Sequence, residues 1–256
     1  MEGTIGGLFA SGVAALGTAL GATTLLIRRD WSPTQQSRLL AAAAGVMLGA
    51  TFFSLILPAL DSLQSEHGTV WGTLWVALLI GVGAASVGLL NQVVPHQHPV
   101  KGREGPEDAG LSGPTLFVLA ISLHNLPEGL SVGVASASDF SAGLPVLLGI
   151  TAQNLPEGFA VAAALLGDGS SRSAAVGIGA LTGLAEVLGG TIGALVVGVG
   201  TAVVPFAYAF AAGAMLFVIS GEVIPETHAR GKESASTYGL VFGFCAMMLL
   251  DVTLGG

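Results

Sequence analysis

The chain has 256 residues, 52% of them hydrophobic and only 9% charged, with a formal net charge of −8 and a mean hydropathy of +0.79. Soluble domains carry about 25% charged residues, so this composition excludes an ordinary soluble protein and points to the membrane class. Eight Lys plus Arg without a basic patch exclude nucleic-acid binding, and the single cysteine, Cys245, excludes an intramolecular disulfide and a Cys-rich metal site.

A membrane helix needs about 20 mostly apolar residues. Such stretches occur, in chain order, at 4–27, 38–61, 70–94, 113–135, 142–166, 173–199, 202–226 and 236–254. They predict an all-α polytopic membrane protein, a single transmembrane domain over 1–256 built as an eight-helix bundle. The start, "MEGTIGGLFA", has no positive n-region and reads as the beginning of the first span rather than a signal peptide. Abundant glycine (39 residues) gives small helix faces, suited to close helix–helix packing in lipid. The longest and most polar connection, 95–112, "PHQHPVKGREGPEDAGLS", reads as a mobile cytoplasmic loop.

All eight basic residues fall on odd-numbered connections: Arg28, Arg29 and Arg38, then Lys101 and Arg103, then Arg172, then Arg230 and Lys232. The positive-inside rule makes that side cytoplasmic and puts both termini outside. The expected location is the cell (inner) membrane, multi-pass, with lipid as the surroundings; a homodimer is compatible with the sequence.

Five acids lie within the predicted spans: Glu128, Glu157, Glu186, Glu222 and, near an end, Glu226. Asp61 and Asp251 lie at outer ends of the second and eighth. An ionisable group at the bilayer centre costs roughly 2.5–3.5 kcal/mol on insertion scales and normally faces a partner in the bundle interior. No Lys or Arg lies deep in any span, so the partners must be protons, polar side chains or metal cations.

The fourth span carries "HNLPEG" and the fifth "QNLPEG", 29 residues apart. His124 and Glu128 share a helix face at i and i+4, as do Gln153 and Glu157, with Asn125 and Asn154 beside them. Pro127 and Pro156 lack a donor for the preceding turn and predict kinks that free the carbonyls of Leu123 and Ala152. Gly129 and Gly158 allow a neighbouring helix to approach. Both motifs fall near mid-span on consecutive antiparallel helices, so they can meet at one depth. One His, several carboxylates and amide oxygens suit an exchangeable borderline dication such as Zn²⁺, Fe²⁺, Mn²⁺ or Co²⁺. Conduction requires binding that is favourable but weak enough to release.

With these two motifs in place, the chain resembles the ZIP family of divalent-metal transporters, in its prokaryotic GufA-like branch. "VMLGATFFSLILPALD", "GLAEVLGG" and "ISGEVIPETHARG" extend the resemblance over the whole length. It implies a two-metal site at mid-membrane, made by His124, Asn125, Glu128, Gln153, Asn154 and Glu157, with Glu157 bridging and with Glu186 and Met47 at further ligand positions. Two departures stand out. Asn154 replaces the Asp of many relatives, which weakens or removes the second metal position, and Gly221 stands where relatives often have His. The resemblance implies alternating access that moves Zn²⁺, or Fe²⁺, Mn²⁺ or Cd²⁺, toward the cytoplasm, with the ion as cargo and no cofactor.

Some of these residues also admit plainer roles. Glu186 fits either a ligand or an interhelical hydrogen-bonder, and Met47 either a ligand or packing. Asp61 and Ser54 fit an outer path or, for Asp61, a helix cap. Glu222, Glu226 and His228 fit a release path, the latter two also an interfacial position, and His96 and His98 fit metal collection in the cytoplasm. The alternatives to a carrier are an intramembrane metal-dependent hydrolase and a proton-coupled solute carrier. The first is disfavoured by the absence of HExxH and by a single deep histidine, so the chain reads as a non-enzyme; the second has no special need of His124 beside Glu128.

Overall fold

The computed structural model describes residues 2–27, 32–98, 102–107, 110–229 and 233–255. Arg28, Arg29, Lys101, Arg230 and Lys232 lie outside them, so the charge-based orientation is carried in the structure by Arg38, Arg103 and Arg172 alone.

Eight long helical rods make up the described residues: α1 Glu2–Ile27, α2 Thr34–His67, α3 Thr69–Val93, α4 Gly113–Ser138, α5 Phe140–Gly167, α6 Arg172–Gly198, α7 Thr201–His228 and α8 Glu233–Leu254. Seven of them are long and apolar enough to cross a membrane. The other, α5, is 28 residues long but holds Pro145, Gln153, Asn154, Pro156 and Glu157, whose polarity dilutes an otherwise apolar run. The result is a polytopic all-α membrane protein.

Helix starts follow local chemistry. Ser32 caps the start of α2 through a reciprocal box with Gln35, and Ser112, Asp139 and Ser171 accept from the first backbone N–H groups of α4, α5 and α6. Three rods depart from uniform α-helix. In α2, Ala50–Ile56 is π-helical and ends two residues before Pro58, and in α7, Ile219–Val223 is π-helical and ends two residues before Pro225. A proline ring removes one donor and crowds the preceding turn, and a wider turn relieves that crowding. The third departure is a break in α6 between Arg172–Leu181 and Leu184–Gly198, at Thr182 and Gly183. By contrast, α4 and α5 run through Pro127 and Pro156 without interruption.

The connection expected to be a mobile loop is partly ordered. His96–His98 (β1) pairs antiparallel with Gly102–Glu104 (β2), with His96 opposite Glu104. Alternating burial puts the two histidines inside, at 1% and 4% exposure, which a polar composition does not reveal.

The rods pack as two sets of four. In the first set α4 lies along α6, and α1 lies against α4, α5 and α6; in the second α2 lies along α8 and α3 along α7. Gly129 meets the backbone of Glu186, and Gly158 meets the backbone of Thr18, so closely that a Cβ at either would collide. Between the sets runs an apolar cluster that includes Ala10, Val132 and Ile150 from the first and Met47, Met215 and Val218 from the second.

Candidate metal centre

The two proline-containing motifs meet as their spacing predicts. His124 of α4 lies with Nε2 2.8 Å from Glu157 Oε1 of α5 and 3.5 Å from Glu128 Oε1 of its own helix. His124, Glu128 and Glu157 form a buried group whose ligand atoms all lie within 4.8 Å of one another. The i, i+4 spacing aligns the first pair on one face of α4, and the antiparallel turn at Asp139 brings α5 back at the same depth. Glu128 is fully buried and neither carboxylate oxygen has a hydrogen-bond partner. Asn125 Oδ1 and Gln153 Oε1 are likewise buried acceptors without donors. Buried acceptors left unpaired cost about 1–3 kcal/mol each, and a cation is the partner that would satisfy several of them at once.

A third carboxylate comes from the other helix set. Glu222, on the π-helical turn of α7, has Oε2 3.6 Å from His124 Nδ1 and accepts from Asn91 Nδ2 of α3 at 2.9 Å. The imidazole therefore sits between carboxylates on both its nitrogens. Within the described residues, the ion pairs of Glu128, Glu157 and Glu222 are with this histidine.

Glu186 is differently engaged. It accepts from Thr18 Oγ1 of α1, from Asn154 Nδ2 at 2.6 Å and from Asn125 Nδ2 at 3.4 Å. Met47 is fully buried in the apolar cluster between the helix sets. Ser54 donates to Asp251, and Asp61 is exposed. His228 is held by Ile224 O and Thr227 Oγ1 at 3.0 Å and by Thr237 at 3.3 Å.

A cavity of about 240 Å³ leads from this centre to one end of the bundle. His124, Glu157 and Glu222 line its inner part, and His98, Glu226 and Thr227 its mouth. Those mouth residues, with Gln36 and Ser37, belong to the end of the bundle that bears Arg38, Arg103 and Arg172. His98 Nδ1 lies 3.6 Å from Glu226 Oε1, and His96, His98 and Glu104 make a second compact ligand group there. The sequence reading missed Thr18 and Asn91. Both are neutral polar residues inside apolar spans, and that alone is their signal; their partners come from helices remote in sequence.

The family model described as ZIP zinc transporter matches residues 96–251, more than half the chain. The chain belongs to the ZIP family. Among relatives of this ZIP protein, zinc transporter GufA of Myxococcus xanthus is 41% identical over 97% of the chain and 99% of its own length. Zinc transporter ZIPB of Bordetella bronchiseptica is 44% identical over 96% and 80%, and human zinc transporter ZIP11 is 31% identical over 93% and 94%. In this ZIP protein the buried His–Glu cluster lies within the matched segment.

Proposed function

We propose that this protein is a transporter, not an enzyme, that moves Zn²⁺ across the cell inner membrane toward the cytoplasm, with Fe²⁺, Mn²⁺ and Cd²⁺ as competing cargo. The observation that carries this reading is the buried group of His124, Glu128 and Glu157, rich in acceptors and short of donors, at the head of a cavity open to one end. The relatives' names support zinc as cargo, and imidazole with carboxylates suits it. The chain crosses the membrane eight times, with α5 as the eighth span and both termini outside; the basic residues on the cavity side support that orientation. Pro127 and Pro156 each remove one backbone donor beside the cluster without interrupting α4 or α5.

In this reading, His124, Glu128 and Glu157 exchange water around the ion for protein ligands, with Gln153 and Asn125 supplying neutral oxygens. Glu222 then draws the ion toward the cavity, past Glu226 and His98, with His96, grouped with His98, and His228, bonded to Thr227, completing the release path. Ser54 and Asp61 lie on the outer approach. The purified full chain in liposomes loaded with a zinc-responsive dye tests the whole reading. Saturable dye response on adding zinc outside is expected; binding without entry refutes transport.

A further inference from the structure

The structure assigns one dication, not two, to the mid-membrane centre: where a second ion would sit, Thr18, Asn125 and Asn154 tie a hydrogen-bonded knot onto Glu186. This rests on the reading above and fixes how many ions the site takes.

A carboxamide offers a metal its oxygen and never its NH₂ group. Asn154 turns its Nδ2 toward Glu186, and the same Nδ2 donates to Ala14 O of α1 at 3.0 Å. That backbone carbonyl fixes the amide's direction, because the flipped form would set two oxygens against each other. Gln153 Nε2 donates to Asn154 Oδ1, so a flip would also leave two nitrogens facing. Asn125 repeats the device: its Nδ2 reaches both Thr182 O at 3.3 Å and Glu186 Oε1. The Thr182 carbonyl is presented where α6 is broken before Glu186.

Glu186 is thus encircled by N–H and O–H groups from three other helices, a surrounding that satisfies a carboxylate and repels a cation. The same orientation leaves Asn125 Oδ1 and Gln153 Oε1 without donors, on the residues that flank His124 and Glu157. The knot takes up the amide nitrogens and leaves two of the amide oxygens to the single ion. An aspartate at 154 would offer no donor to Ala14 O and would add a charge beside Glu186. Thr18 is a positioning residue here: it donates to Glu186, the carboxylate that both amides face.

Crystals of the full chain grown with Cd²⁺ and measured for cadmium anomalous scattering test the assignment. One central peak among His124, Glu128 and Glu157 is expected, with none touching Glu186. A second peak bound to Glu186 overturns it. No central peak at all would instead count against the proposed transport site, leaving the two failures distinguishable. Cadmium content of the folded His96→Ala/His98→Ala chain should be unchanged by adding Glu186→Gln; loss of one ion per chain would make Glu186 a ligand. Asn154→Asp should gain a second peak beside Glu186, and a folded variant that still holds one ion would show that the amide is not what excludes the other.

Discussion

The two sets of helices are built by different rules. In α1, α4, α5 and α6, backbones touch at glycine, and the polar knot on Glu186 joins all four rods. In α2, α3, α7 and α8, glycine contacts such as Gly213 on Ile80 also bring backbones together, but fewer of the polar side chains are buried and two rods carry π-helical turns. Between the sets, contact is mainly through aliphatic side chains around Met47, Met215 and Ile150. Aliphatic surfaces have no directional bonds to break when they slide, whereas backbone-to-backbone seats do not slide without collision. The first set is therefore the more tightly seated body and the second the face it packs against, with Glu222 the carboxylate that the second set brings to His124.

The sharpest way to break this comparison is to empty the first set's site. Glu157→Ala should abolish zinc entry into liposomes while circular dichroism stays helical; full uptake would remove Glu157 from the site. Acidification should act on the same group. His and Glu ligands must shed protons to bind metal, so zinc affinity should fall as the pH is lowered from about 7.5 to about 5; a flat titration would place the ion elsewhere. Tight seating within the first set predicts that Gly129→Ala, which forces a Cβ onto the Glu186 backbone, lowers stability by about 1–3 kcal/mol. An unchanged melting temperature would mean that α4 and α6 part easily.

The smallest effect concerns the seam. Ser138 of α4 already donates to Ala135 O, so at 2.5 Å Tyr208 of α7 donates to Ser138, across the sets and at the end opposite the cavity. Tyr208→Phe removes one hydrogen bond, about 1 kcal/mol, and should favour opening of that end roughly fivefold. Faster labelling of Ala135→Cys in a Cys245→Ser chain would register it; equal labelling would mean the bond does not hold the seam.

Much of this was legible in the sequence because lipid punishes error. Buried ionisable groups at i, i+4 beside a proline leave few arrangements open, and so His124, Glu128 and Glu157 converge as their spacing predicts. Features governed by distant partners were not legible. Nothing near Glu222 announces His124 as a neighbour, since they lie on different rods and meet only after both sets assemble. The hairpin that buries His96 and His98 is hidden by a polar composition, and the break at Thr182 lies inside an apolar run. The direction of an amide cannot be read from a letter: Asn154 signals a lost charge, but only the carbonyl of Ala14 tells which end of the amide faces Glu186.

The cavity below the centre has a consequence for speed. Between its acidic ends it is walled by Ala120, Ala160, Ala163, Ala164, Leu40 and Phe117, which offer an ion nothing to grip. Its size leaves room for several waters, so a departing dication regains its hydration shell while still enclosed by the protein. Turnover would then follow how quickly solvent replaces imidazole and carboxylate, a property of the metal's own water exchange, and ions of equal affinity would leave at unequal rates.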